Sequence, residues 1–237
     1  MRLSVLCPSM GSHEEAVSTW AETSHTELQI TVDSTTTGPA AGFLTKCQRF
    51  YERDSAPIQG YLHADLYIQD EGWDQRVMDQ FGDPAVGVVG FVGARRLGDP
   101  DIYRTPYDYR QLARAGVLSN LVDAEVHGER YSGECEVAVL DSCAVFVRRS
   151  LLVRCGGWKS SGLPDNTHCS DLWISLMARR FAMATRVVGV RARHTGGGKG
   201  EAGLGWLAGV GGDQATHREA HRVIYDQFRD LLPVVTR

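Results

Sequence analysis

The chain has 237 residues, 43% hydrophobic and 23% charged, which is ordinary globular composition and enough for one large α/β domain or two small ones. A formal net charge of -4 supplies no general basic field for nucleic acid, and the longest apolar runs are far too short to span a bilayer. The amino terminus MRLSVLCPS enters a strand pattern at once, with no secretory leader. Cys7, Cys47, Cys135, Cys143, Cys155 and Cys169 form no close pair at zinc-ligand spacing, so the expectation is a cytoplasmic protein with reduced core thiols and no membrane segment.

In chain order, Leu3 to Cys7 reads as a buried strand stopped by Pro8-Ser9. Ala16, Val17 and Trp20 give Glu14 to Thr23 a helical stripe, and Ser12 with Glu15 has the spacing of a capping box. Leu28, Ile30 and Val32 alternate with polar residues as a second strand ending at Asp33. Pro39 suits the first turn of a helix whose face is Ala40, Phe43, Leu44, Cys47 and Phe50. The stretch Gly60 to Ile68, GYLHADLYI, then reads as a strand broken by a carboxylate. The order strand, helix, strand, helix, strand predicts a parallel sheet with right-handed crossovers.

Trp73 to Phe81 reads as a helix and Val86 to Val92 as a glycine-bearing buried strand. Gly93 to Gly116 has no clean period and is expected to run irregularly over the sheet. Val137 to Val147 is the longest strand candidate, followed by a helix from Arg149-Ser150 that Gly156-Gly157-Trp158 closes. After a loop at Ser160 to Thr167, Asp171 opens a helix carrying Leu172, Trp173, Leu176 and Met177. Val187 to Val190 is the last strand, ending near His194. Thr195 to Gly212 is glycine-rich and expected to be mobile, and Val223, Ile224, Phe228, Leu231 and Leu232 form the apolar face of a C-terminal helix. The fold class is therefore α/β, a single domain with a mostly parallel central sheet flanked by helices.

Ligands of open α/β sheets bind at the carboxyl ends of the strands. A carboxylate there, as at Asp65, can hold a divalent cation, and the cation can hold a diphosphate. The plainer reading is that Asp65 caps a turn.

Several features stand in a recognisable order: Pro8-Ser9 after the first strand, Asp33 after the second, YLHADLYI, the strand VGVVGFVGA, the segment VAVLDSCAVFVRRSLLVRCGGW, HCSDLWISLMARR and RARHTGGGKG. With these the chain resembles a family 2 glycosyltransferase with the GT-A fold, from the first strand to His194. The resemblance implies a donor-binding half (1–92), an acceptor-side half (93–194), a flexible loop (195–212) and a C-terminal helix (213–237). It implies Asp65 as the ligand of a Mn2+ or Mg2+ ion on the diphosphate, His194 as a further metal ligand, and Asp171 as the base in a single inverting displacement. Pro8, Ser9, Asp33, His63 and Lys199 would lie against the donor, a UDP-sugar foremost. Asp141, Trp158 and His168 would face the acceptor. Asp171 as an N-cap and Trp158 as packing are the structural alternatives. The family motif has two or three carboxylates and this chain keeps only Asp65, which leaves metal-independent transfer by Arg or Lys open.

Two other readings compete. A non-catalytic nucleotide-sugar-binding module would need no base. A nucleotidyltransferase would place glycines and an arginine straight after the first strand, where PSMGSHEEA has one glycine and no arginine. The acceptor (protein, glycan, lipid-linked sugar, small molecule or a hydroxymethylated DNA base) has no readable code in the sequence.

Overall fold

The computed structural model describes residues 2–9, 11, 13–38, 40–98, 112–122, 128–165, 169–195 and 214–236. The first half runs β1 (Leu3–Cys7), α1 (Glu14–Glu22), β2 (Leu28–Val32), α2 (Phe43–Arg53), β3 (Ile58–Leu62), β4 (Leu66–Ile68), α3 (Trp73–Gln80), β5 (Val86–Gly90) and β6 (Val92–Leu97). The second runs β7 (Arg114–Ser119), β8 (Leu121–Val122), β9 (Glu129–Arg130), β10 (Glu134–Glu136), β11 (Val139–Leu140), β12 (Ala144–Arg148) and α4 (Arg149–Cys155). A 3-10 turn at Trp158–Ser161, α5 (Ser170–Arg180), β13 (Ala184–Val188), β14 (Ala192–His194), α6 (Gln214–Phe228) and β15 (Val234–Val235) complete it.

The centre is a seven-stranded sheet in the order β10-β13-β5-β12-β3-β1-β2. β1 pairs parallel with both β2 and β3, as the opening pattern predicts. β13 runs parallel to β5, while β12 lies antiparallel between β3 and β5 and β10 antiparallel on β13. The sheet is thus mostly parallel, and helices flank it. Strand alternation divides the core between its two faces. Leu6, Tyr61, Val145 and Val147 join the cluster under α2, α4, α5 and α6. Val5, Cys7, Leu62 and Phe146 join the cluster under α1 and α3, with Trp20 and Trp73. The indole N–H of Trp20 donates to Leu66 O at 2.6 Å and that of Trp73 to Trp20 O at 3.2 Å, so neither buried ring leaves a polar atom unmet.

The structure divides three of the long strands expected from sequence. Val86 to Val92 parts at Phe91, where the chain leaves the central sheet and β6 enters a second one, β11-β6-β7-β9, with β15 added to β6. Val137 to Val147 parts at Asp141, whose Oδ1 accepts the amide of Cys143 at 3.2 Å and turns the chain from β11 into β12. The last strand, expected over Val187 to Val190 and ending near His194, is two strands, β13 and β14, parted at Val190, whose amide donates to Val188 O at 2.8 Å in a three-residue turn. Gly93 to Gly116, expected to be irregular, is regular at its two ends, and its residues 99–111 lie outside the described residues. β6 and β7 form a regular antiparallel pair from Val92↔Ser119 to Leu97↔Arg114. α2 starts at Phe43, later than Pro39 suggested, and α1 begins behind His13 with no side-chain cap bond. Ser12 and Pro39 themselves lie outside the described residues, as does most of the glycine-rich loop. None of the six cysteines is in a disulfide. No helix among the described residues is long and apolar enough to cross a membrane.

Gly60 in β3 shows how tightly the site strand is packed. A Cβ there would stand 2.8 Å from Phe146 Cδ1 and 3.0 Å from Val5 Cγ2. Phe146 cannot yield cheaply, because its ring is fully buried and packed on Phe91 and Trp73 at centroid distances of 5.5 and 5.8 Å. Gly60→Ala is therefore expected to overpack the strand and cost about 1–3 kcal/mol in urea unfolding. An unchanged midpoint would mean that the core adjusts freely here.

Candidate active site

β3 ends at Leu62, and the chain turns through His63-Ala64-Asp65 before β4. His63 N donates to Cys143 O at 3.0 Å and Leu66 N to His63 O at 3.1 Å, which fixes the turn on the end of the sheet. β4 then pairs antiparallel with β14 in the register His194↔Leu66, and Thr195 N reaches Asp65 O at 3.2 Å. This pairing brings His194 beside Asp65 and His63, which stand 129 and 131 positions earlier. His194 Nε2 lies 3.2 Å from Asp65 Oδ1 and 3.3 Å from His63 Nδ1, and the three ligand atoms lie within 4.8 Å of one another. Asp65 and His194 side chains are each 23% exposed, so the cluster opens to solvent. Adjacent ligands about 2.1 Å from one cation stand roughly 3.0–3.4 Å apart, so the donor set fits a divalent ion.

Behind this cluster lies a second group. Arg114, the first residue of β7, donates from Nη1 to Asp141 Oδ2 at 2.8 Å and from Nη2 to Asp171 Oδ2 at 2.7 Å. Asp141 is 41% exposed, Arg114 27% and Asp171 1%. Burial raises the Asp141 carboxyl, but Arg114, the Cys143 amide and the imidazoles of His63 and His194 outweigh it and hold the group below its ordinary value. His63 N donates to Cys143 O at 3.0 Å and Cys143 N to Asp141 Oδ1 at 3.2 Å, so the two groups adjoin through Cys143. Burial is also the largest influence on Asp171; Asp141 adds to it, Arg114 opposes it, and the carboxyl is pushed up to about 6. Asp171 Oδ1 is buried with no hydrogen-bond partner among the described residues. Asp171 sits in the first turn of α5 behind Cys169, which makes no side-chain cap bond, so it is not the N-cap.

The ends of β1 and β2 form the third part. Asp33 N donates to Cys7 O at 2.9 Å, and the Asp33 carboxylate takes the Thr35 amide at 3.2 Å and an ion pair from Arg49. Burial raises this carboxyl, but Thr35 and Arg49 together hold it below the ordinary range. Lys46, 1% exposed, donates to Ser9 O at 2.8 Å. Ser9 Oγ donates to Gly11 O at 2.6 Å and lies 3.0 Å from His13 Nδ1. Pro8 is half-buried beside it. Asp33, Lys46, Arg49, Gln29 and Thr31 line a cleft of ≈ 200 Å³.

The structure thus gathers His63, Asp65, His194, Asp141 and Asp171 in one place, with Ser9 and Asp33 at the neighbouring strand ends. Trp158 is 2% exposed, packs on Tyr61 and Trp173, and donates its indole N–H to Tyr61 Oη at 2.8 Å, so it is a core residue here. His168 and Lys199 lie outside the described residues. Sequence reasoning passed over Arg114, Lys46 and Arg49. Lys46, Arg49 and Arg53 recur on one side of α2 at helical spacing, a signal that was readable. Arg114 stands among other arginines in a stretch without period and carried no signal.

No protein-family model matches the chain, and no curated protein matches it. Among solved structures it is similar to a mannosyltransferase from Pyrobaculum calidifontis in complex with GDP-Man and Mn2+. The identity is 12% and the TM-score 0.52, over 81% of this chain and 56% of that one. It is also similar to S. aureus TarS in complex with UDP-GlcNAc, at 13% identity and TM-score 0.46, over 81% of this chain and 58% of that one. The match therefore spans little more than half of each of those two chains. At such identities the likeness is one of architecture, and the fold is of the GT-A glycosyltransferase type.

The Asp171 geometry makes a stability prediction. The unfolded carboxyl loses its proton near 3.8 and the native one only near 6, so between those values the unfolded state binds fewer protons and stability falls as pH rises. Asp171→Asn removes that linkage. Urea unfolding from about pH 4 to about pH 7 is expected to show the variant gaining on wild type by on the order of 2 kcal/mol. Parallel pH profiles would mean that Asp171 ionises normally.

Proposed function

We propose that the chain is a metal-assisted, inverting glycosyltransferase that moves a sugar from a nucleoside-diphosphate sugar, a UDP-sugar foremost, to an acceptor hydroxyl. The observation that carries the reading is the pairing of a three-ligand cluster at the end of β3 with a buried carboxylate whose Oδ1 is unspent. Glycosyl transfer needs these two elements: charge to meet the leaving diphosphate, and a base for the attacking hydroxyl. His63, Asp65 and His194 would hold the cation, which when bound supplies positive charge to the diphosphate oxygens. Ser9 and Asp33 would meet the base and ribose of the donor, with Lys46 and Arg49 fixing that end. Asp171 Oδ1 takes the acceptor proton while the acceptor oxygen bonds to the anomeric carbon and the bond to the diphosphate oxygen breaks. One displacement from the opposite face inverts the centre. In this reading residues 1–92 supply the donor side and 93–194 the base, with His194 closing the cluster.

Two imidazoles and one carboxylate form a softer set than a pair of carboxylates. Mg2+ favours oxygen ligands, whereas imidazole suits transition ions, so Mn2+ is the better fit of the two. Thermal melts with UDP and GDP are expected to rise in Mn2+, less in Mg2+ and least in EDTA. Asp65→Asn should abolish the metal-dependent part of the rise with little change in the melting of the free protein. Flat melts across nucleotides and metals would overturn the reading, and an unchanged response in Asp65→Asn would remove Asp65 from the metal site.

The burial and ion pairing of Asp171 also fit a nucleotide-sugar-binding module that does not transfer. Activity separates the two. In the transferase Asp171→Asn loses roughly 10²- to 10⁴-fold in kcat while keeping donor binding. In the binding module neither protein turns donor over.

A further inference from the structure

Arg114 is the feature of the site that the chemistry above does not yet use. It comes from β7, held by the pairing of that strand with β6, while its two partners come from the β11–β12 turn and from α5. Its guanidinium spends one terminal nitrogen on each carboxylate. Both bonds go to Oδ2 atoms, Asp141 Oδ2 at 2.8 Å and Asp171 Oδ2 at 2.7 Å, and Asp171 Oδ1 is left with no hydrogen bond among the described residues. We propose that Arg114 is a positioning residue for the base: its bridge between Asp141 and Asp171 keeps Asp171 an anion and reserves Oδ1 for the acceptor hydroxyl. This rests on the transferase reading.

Two carboxylates close together in a low-dielectric site do not both ionise readily, and the more buried one keeps its proton. Asp171 is that one, at 1% exposure against 41% for Asp141. A protonated Asp171 cannot act as a base, so a cation must stand between the two. A planar guanidinium reaches both at once in fixed geometry, which a lysine ammonium does less well. The charged and titratable groups that bear on Asp171 are Arg114 and Asp141, together with the neighbouring thiols of Cys169 and Cys143, both pushed up by burial first and by carboxylates second. On the far side of Asp141 stand His63 and His194. The bridge therefore also links the proposed base to the proposed metal cluster. Asp171 is covered in this structure, so the acceptor hydroxyl gains Oδ1 only when a covering group shifts. The Oδ2 bond to Arg114 keeps the carboxylate oriented through that shift.

The test is the pH dependence of transfer in wild type, Arg114→Gln and Arg114→Lys, each with saturating UDP-sugar and Mn2+. Arg114→Gln is expected to move the acid limb of kcat upward by about one pH unit or more, so that its defect is severe near pH 6 and shrinks toward pH 9, with donor KM unchanged. Arg114→Lys should shift the limb less, and it carries the test if the Gln variant fails to fold. A defect of equal size at every pH, or no defect, overturns the proposal. If wild type shows no transfer, the transferase reading fails, and the bridge is then read directly by carboxyl 13C NMR of Asp171, assigned by its loss in Asp171→Asn. An upward move of that titration in Arg114→Gln or Arg114→Lys supports the bridge without the reaction, and an unmoved titration overturns it.

Discussion

The register of one short strand pair, β4 on β14, is the constraint on which the site depends. With His194 opposite Leu66, the imidazole falls beside Asp65 and within reach of His63. In a strand, neighbouring side chains point to opposite faces, so a slip of one residue would turn His194 away and put Arg193 in its place. The pair is held from both sides. Trp20 donates to Leu66 O from α1, and β8 adds a parallel strand to the outer edge of β14. The proposed metal ligands are thus set by backbone pairing at the rim of the sheet, with the hydrophobic core under α1 beneath them.

The same logic explains why the site lies where strands change sheets. β5 passes into β6 at Phe91, and β11 passes into β12 at Asp141. At the second crossing the side chain that makes the turn also carries charge, since Asp141 gives one oxygen to the Cys143 amide and the other to Arg114. A residue that the backbone needs is thereby fixed between the imidazoles and the buried carboxylate.

Much of the architecture was legible in the sequence because strand and helix periods are local. The alternation of Leu28, Ile30 and Val32 and the buried run of Leu3 to Cys7 gave the parallel pairing of β1 and β2. The positions of Asp65 and His194 at strand ends and of Asp171 at the opening of a helix were readable because each lies at the boundary of such a period. The strand breaks at Phe91, Asp141 and Val190 were not, because the apolar pattern continues across them while the chain changes partners. Arg114 was invisible for a related reason. Its placement depends on a strand pairing that carries it to Asp141, 27 positions on, and to Asp171, 57 positions on, and no local pattern encodes that meeting. His63 was legible as a donor-side residue, but its partnership with His194 required the β4–β14 register.

The end of β3 is proposed to hold a divalent cation against a nucleoside diphosphate. Pulsed EPR of Mn2+ added to the protein with UDP tests it at the atoms concerned. The account predicts 14N couplings from two directly bound imidazoles together with 31P coupling from the diphosphate, with one nitrogen coupling lost in His63→Ala and one in His194→Ala. A spectrum with phosphorus and water couplings alone, unchanged in both variants, would contradict it.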